Sequence, residues 1–184
     1  LVKGASKGEG LGNQFLANIR ETDAILHVIR CFDDPNVVHV DGSVNPVRDK
    51  EVIDLELQIK DLETVENRLS KVIKQATTGG DKQAKKAVEL LQRYKEALLK
   101  GQNCRSVKLE NAEEEKLAKE FWLLTNKPVL YVCNVDEASA ATGNEYVEML
   151  REAVKDEDAG ILVIAAKIES EIAELDTFEE RQMF

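Results

Sequence analysis

"KPVLYVCNVDEAS", residues 127–139, decides how the rest of the chain is read. Pro128 to Cys133 is an apolar run of β-branched and aromatic residues, opened by a proline and flanked by acidic helical stretches. Such a run fits a strand covered on both faces, the pattern of a parallel sheet. It stops abruptly on Asn134, Val135, Asp136 and Glu137. Ligands of open α/β sheets gather at the carboxyl ends of strands, so polar residues at this point mark a binding edge.

Two similar strands are expected on either side. "AILHVIRCF" (24–32) precedes it and "GILVIAA" (160–166) follows. "NQFLANIRET" (13–22) and "NEYVEMLREAVKDE" (144–157) have helical periodicity, and "SEIAEL" reads as a helix start capped by Ser170. Strands alternating with helices predict an α/β fold with a parallel sheet and right-handed crossovers. Residues 1–12, with glycines at 4, 8, 10 and 12, read as a loop.

A different pattern separates the first two strands. Apolar or small residues fall at heptad spacing at Leu55, Gln58, Leu62, Val65, Leu69, Val72 and Ala76, with Gln58 the polar exception. The spacing resumes after Gly79 and Gly80 at Ala84, Ala87, Leu91, Tyr94 and Leu98. Two such seams joined by a glycine turn predict an inserted antiparallel coiled-coil hairpin. The domain reading is therefore 1–49 and 111–184 for a nucleotide-binding domain in two parts, with the hairpin at 50–110.

Charge distinguishes the hairpin from the body. Residues 68–100 hold nine basic groups against three acids, a net of +6, while the 184-residue chain carries −10 and the remainder therefore −16. A basic arm on an acidic body is the asymmetry of a surface that seeks phosphate. Lys82, Lys85 and Lys86 near the tip are the candidate contacts with RNA or the ribosome. Hydrophobic residues make up 43% and charged residues 33%, a globular composition with no apolar run long enough for a membrane span. Neither DNA nor a membrane is expected as partner. Cys31, Cys104 and Cys133 have no metal-ligand spacing and read as reduced structural thiols of a cytoplasmic protein.

GTP-binding domains of the Ras-like class grip guanine with Asn-Lys-x-Asp at a strand end, the Asp accepting two hydrogen bonds from the base. Here the tetrapeptide is Asn134, Val135, Asp136 and Glu137: the lysine is replaced, and the final carboxylate is one methylene longer. That displacement spoils a bidentate pair. Adenine offers an amino donor that a backbone carbonyl near Val135 could accept, while Asn134 still reaches N7.

Taken together, "LVKGASKGEGLGNQFLANIRETDAILHVIRCF", the basic hairpin, "NVDE" and "AAKIESEIAEL" closely resemble the Obg-like ATPase (YchF) family of translation-factor-class P-loop NTPases, along essentially the whole chain. The resemblance implies a G-domain-like fold with helices on both faces, Mg²⁺-dependent hydrolysis of ATP (alternatively GTP), and a ribosome or RNA partner. It implies that residues 1–12 are the second switch and that Ala165 and Ala166 form the last base-binding loop. No G-x-x-x-x-G-K-[ST] occurs, so the phosphate loop and the Mg²⁺ ligands are expected upstream of Leu1, with no metal ligand in these residues. A C-terminal TGS domain is likewise expected outside them, and the chain alone should bind nucleotide poorly. A non-catalytic module displaying the hairpin to RNA or protein is the rival reading.

Leu1 would follow the family's Asp-x-x-Gly, where Ras-like enzymes carry a glutamine that orients water. Leucine cannot do so, which leaves His39 as the candidate to position or deprotonate water. His27, inside an apolar strand, reads as a core residue. Glu169, Glu171 and Glu174 read as a helix's acidic first turn. Phe121 and Trp122 are expected to anchor the "NAEEEKLAKE" helix against the sheet, and Asp33, Asp34 and Asp41 lack the spacing of a calcium loop.

Overall fold

A computed structural model describes residues 12–36, 42–78 and 82–183. The elements run α1 (Gly12–Arg20), β1 (Ile25–Arg30), α2 (Pro46–Thr78), α3 (Lys82–Leu99), α4 (Ala112–Glu120), β2 (Val129–Asn134), α5 (Glu145–Ala153), β3 (Gly160–Ile164), α6 (Ala166–Ala173) and α7 (Phe178–Met183). They divide into two compact units: residues through 25 together with 51–128, and residues 26–50 together with 129 onward.

The first unit is built on α2 and α3. Pro46 opens α2 at the position where a missing N–H costs nothing, and the Asn45 side chain accepts from the Arg48 N–H at 3.0 Å. Thirty-three residues give α2 a length of about 50 Å, longer than its heptads alone imply. The two helices run antiparallel: Glu66 pairs with Lys95 at 2.8 Å, and Gln58 Nε2 donates to the Gly101 carbonyl (3.1 Å) and Asn103 Oδ1 (2.8 Å). Val65, Leu69, Ala87, Leu91, Tyr94 and Leu98 are buried as the seam requires. Leu55 is not: it is 54% exposed, and Leu57 instead packs with Leu16 and Leu124 at the base of α2. The Gly79–Gly80 turn lies outside the described residues.

Residues 111–128 belong to this unit rather than to the sheet. Asn111 caps α4, accepting from the N–H groups of Glu113 and Glu114 above an acidic first turn. The helix then lays Leu117, Ala118 and Phe121 into the α2–α3 core. Phe121 meets Tyr94 edge-on at 6.4 Å, and the Arg68 guanidinium lies over the Phe121 ring, 5.6 Å from its centroid. The expected pair of aromatic anchors is thus split. Phe121 packs on the hairpin, not the sheet, and Trp122 is 53% exposed.

Below α4 a buried carboxylate holds the chain. Asp61 is fully buried and accepts from the N–H of Leu124 (2.8 Å), the N–H of Thr125 (2.7 Å) and the Thr125 hydroxyl (2.8 Å). Burial raises its pKa, while these donors pull it back.

In the second unit the strands stand in the order β1-β2-β3. β2 and β3 are parallel, with Leu130 opposite Gly160 and Asn134 opposite Ile164. α5, capped by Asn144, buries Val147 and Leu150. Lys50 bonds Glu157 at 2.8 Å, and the buried Tyr131 donates its hydroxyl to the same carboxylate at 2.6 Å. β2 is covered on both faces as expected, but β1 is not. Leu26 and Val28 are 67% and 61% exposed, so β1 alternates like a half-covered strand. α6 begins at Ala166, four residues before the expected cap, which leaves Ser170 inside the helix. His27 is half-buried, its ring 5.8 Å from that of Tyr131.

Candidate nucleotide-base site at the strand ends

The carboxyl ends of the three strands are tied to one another through Asn134. Its backbone carbonyl accepts from the Cys31 N–H (2.8 Å), its Oδ1 accepts from the Ala166 N–H (3.0 Å), and the next N–H, of Val135, donates to the Ile164 carbonyl (2.8 Å). Because Oδ1 faces an N–H, the amide orientation is fixed. Its Nδ2 donors are left without an acceptor among the described residues, the arrangement needed for the N7 of a purine. The Ala166 contact also satisfies an N–H of the first turn of α6, which has no local side-chain cap.

The loops are tied in turn. Asn144 Nδ2 donates to the Cys31 carbonyl at 2.7 Å, and the Tyr146 hydroxyl donates to Asp33 at 2.6 Å. That bond to Asp33 raises the Tyr146 pKa. Asp136 accepts from the Ser139 N–H at 2.9 Å, so it builds the turn over Glu137–Ser139 rather than facing a ligand. Glu137 is exposed at the start of that turn. Val135 is 4% exposed: the side chain standing where Ras-like domains place the lysine is turned into the protein. Ala165 is buried as well. Cys31 and Cys133 are free, buried neighbours on this edge. Their shared hydrogen bond, then burial, pushes the Cys31 thiol up and keeps it protonated.

Asn134, Val135, Ala165 and Ala166 are therefore brought together, with Glu137 on the adjoining turn. Leu1 and His39 lie outside the described residues, as does Asp41. Lys82, Lys85 and Lys86 are on α3, exposed, and Lys86 is paired with Glu113. Asn144 and the Asp33–Tyr146 pair were not singled out by sequence. An asparagine before an acidic first turn was a visible cap signal, but its second bond, to Cys31 113 residues away, was not.

Parallel strands whose carboxyl ends present an Asn-x-x-carboxylate turn define an α/β domain with a candidate ligand edge where such sheets bind. No family model matches the chain. It is 52% identical over 186 residues to the ribosome-binding ATPase YchF of Bacillus subtilis (strain 168), and 46% identical over 184 residues to that of Escherichia coli O157:H7. All of this chain is covered in both alignments, and half of each relative. The solved structure of the Schizosaccharomyces pombe YchF GTPase superposes with a TM-score of 0.81 at 32% identity, over 99% of this chain and 50% of that one. The chain belongs to the YchF family and spans about half the length of these relatives.

Proposed function

We propose that this chain supplies the base-recognition edge and the helical arm of a nucleoside triphosphatase that prefers ATP and works at the ribosome. The relatives' names divide between ATPase and GTPase. The observation that favours ATP is the state of the tetrapeptide: Val135 is buried where a lysine stem would cover guanine, and Asp136 is occupied by its own turn. Asn134 then offers Nδ2 to N7 of either purine, and a backbone carbonyl near Val135 suits an adenine amino group. Competition for a labelled adenine nucleotide on the full-length protein tests this; displacement by GTP at lower concentration than by ATP would overturn it.

Mg²⁺ would neutralise the transferring phosphate. Among the described residues no cluster of three or more His, Cys, Asp or Glu could hold it. Leu1 takes the place of the Ras-like glutamine without a group to orient water, and His39 is the proposed residue that positions or deprotonates it. His39→Ala should lower ATP turnover while leaving ATP affinity intact, and unchanged turnover removes His39 from the mechanism.

The arm is the proposed ribosome contact. Its charge is partly spent: Lys86, Arg93 and Lys95 pair with Glu113, Glu114 and Glu66, acids outside the basic window. Lys82 and Lys85 are exposed. Reversing both to glutamate should weaken ribosome or RNA binding and reduce its salt dependence by about one to two charges. An unchanged salt slope would place the contact elsewhere.

A further inference from the structure

α3 and α4 end in the same way with different residues. α3 closes on Gly101 in the left-handed region at φ 70°, with the N–H groups of Gly101 and Gln102 bonded to Leu98 and Ala97. α4 closes on Trp122 at φ 56°, its N–H bonded to Lys119. Glycine takes that position by default, because a β-carbon crowds the following carbonyl there. A bulky residue in this region is an outlier that calls for a cause. Burial of the ring does not supply one, since half of Trp122 faces solvent while its neighbour Phe121 occupies the core.

The surroundings are cationic. Arg20 donates from Nη1 to the Trp122 carbonyl at 2.8 Å and from Nη2 to Thr64 Oγ1 at 2.9 Å, which fixes the guanidinium beside the tryptophan backbone. Arg68, one turn along α2 from Thr64, lies against Phe121. Burial, then the charge of Arg20, lowers the Arg68 pKa, with Glu120 opposing. No carboxylate among the described residues forms a salt bridge with Arg68. Arg20 on the Trp122 carbonyl and Arg68 over the Phe121 ring thus flank the turn that leaves Trp122 half exposed, with Asp61 and Glu120 the acids that act on them.

We infer that Trp122, Arg20 and Arg68 form a stacking site for a base of single-stranded RNA, with the two arginines on the flanking phosphates. This rests on the ribosome-directed reading above and narrows it to an unpaired segment. An indole face accepts any base by stacking, and only unpaired strands present a free base face. An acidic peptide would satisfy the arginines but leave the ring unused.

Trp122 is the only tryptophan in the chain, so its emission reports the site directly. An oligouridylate of about 12 nucleotides should quench it on binding. Trp122→Gly should weaken binding about tenfold or more without lowering the melting temperature, since glycine suits the left-handed backbone. Trp122→Phe keeps a ring and should retain most of the affinity, which separates stacking from folding. Arg68→Glu should weaken binding and make its salt dependence shallower by about one charge. Unquenched emission on binding, full affinity in Trp122→Gly, or equal quenching by oligoglutamate overturns the proposal. Loss of binding in the Lys82 and Lys85 reversal with Trp122→Gly silent sinks this site and leaves the arm's role standing. No RNA binding by the unchanged chain sinks both.

Discussion

Asp61→Ala is expected to destabilise the hairpin-bearing unit by about 4 kcal/mol, enough to unfold many domains outright. The carboxylate meets three donors in a site closed to water: two backbone N–H groups and a hydroxyl. Thr125 Oγ1 also accepts from the Cys104 N–H at 3.0 Å, which holds the hydroxyl beside the carboxylate. Truncation therefore orphans all three donors at once, at about 1–3 kcal/mol each before relaxation. Asp61→Asn should fall between, since its amide NH₂ must face a donor whichever way it turns. Denaturant unfolding gives the total. Hydrogen exchange at Leu124 and Thr125 locates it, and both amides should lose protection first. A loss below about 1 kcal/mol would mean that water reaches the donors and that the clamp is dispensable.

What sequence could and could not reveal follows from the range of each interaction. The α3 seam, Ala84, Ala87, Leu91, Tyr94 and Leu98, was legible because heptad spacing is local, and every one of them is buried. Leu55 broke the pattern because the base of α2 packs against α1 and residue 124 rather than against α3 alone. Nothing local in the sequence marks Asp61, since its partners lie 63 and 64 residues away. The start of α6 was misplaced for the same reason: Ser170 is a familiar cap, whereas the true first turn is served by Asn134 from 32 residues upstream. Phe121 and Trp122 look alike as a pair, and only the left-handed turn between helix and loop sends one inward and the other out. The strand end at Asn134, by contrast, was visible as a hydrophobic run cut off by polar residues, and its neighbours Ala165 and Ala166 do meet it.

Glu137→Asp is expected to shift the nucleotide preference of the full-length protein toward GTP by about tenfold or more. The argument is geometric. Guanine offers two adjacent donors, N1–H and the N2 amino group, and a carboxylate on the right stem accepts both. Glu137 begins a short turn whose shape is set by Asp136, so the backbone at position 137 should hold while its side chain shortens by one methylene. Charge-assisted hydrogen bonds contribute about 1.5–3 kcal/mol each, but the exposed turn and the buried Val135 leave the base uncovered, which limits the gain. Adenine gains nothing from the change, because its edge presents an unprotonated N1 to the same carboxylate. Asp136→Ala is the control: it should loosen the turn and weaken both nucleotides without choosing between them. If Glu137→Asp leaves the ATP-to-GTP ratio untouched while Asn134→Ala weakens both, the carboxylate never reaches the base. Discrimination would then reside in the backbone around Val135, where the Ile164 carbonyl already engages the N–H and only the carbonyl remains to read an amino group.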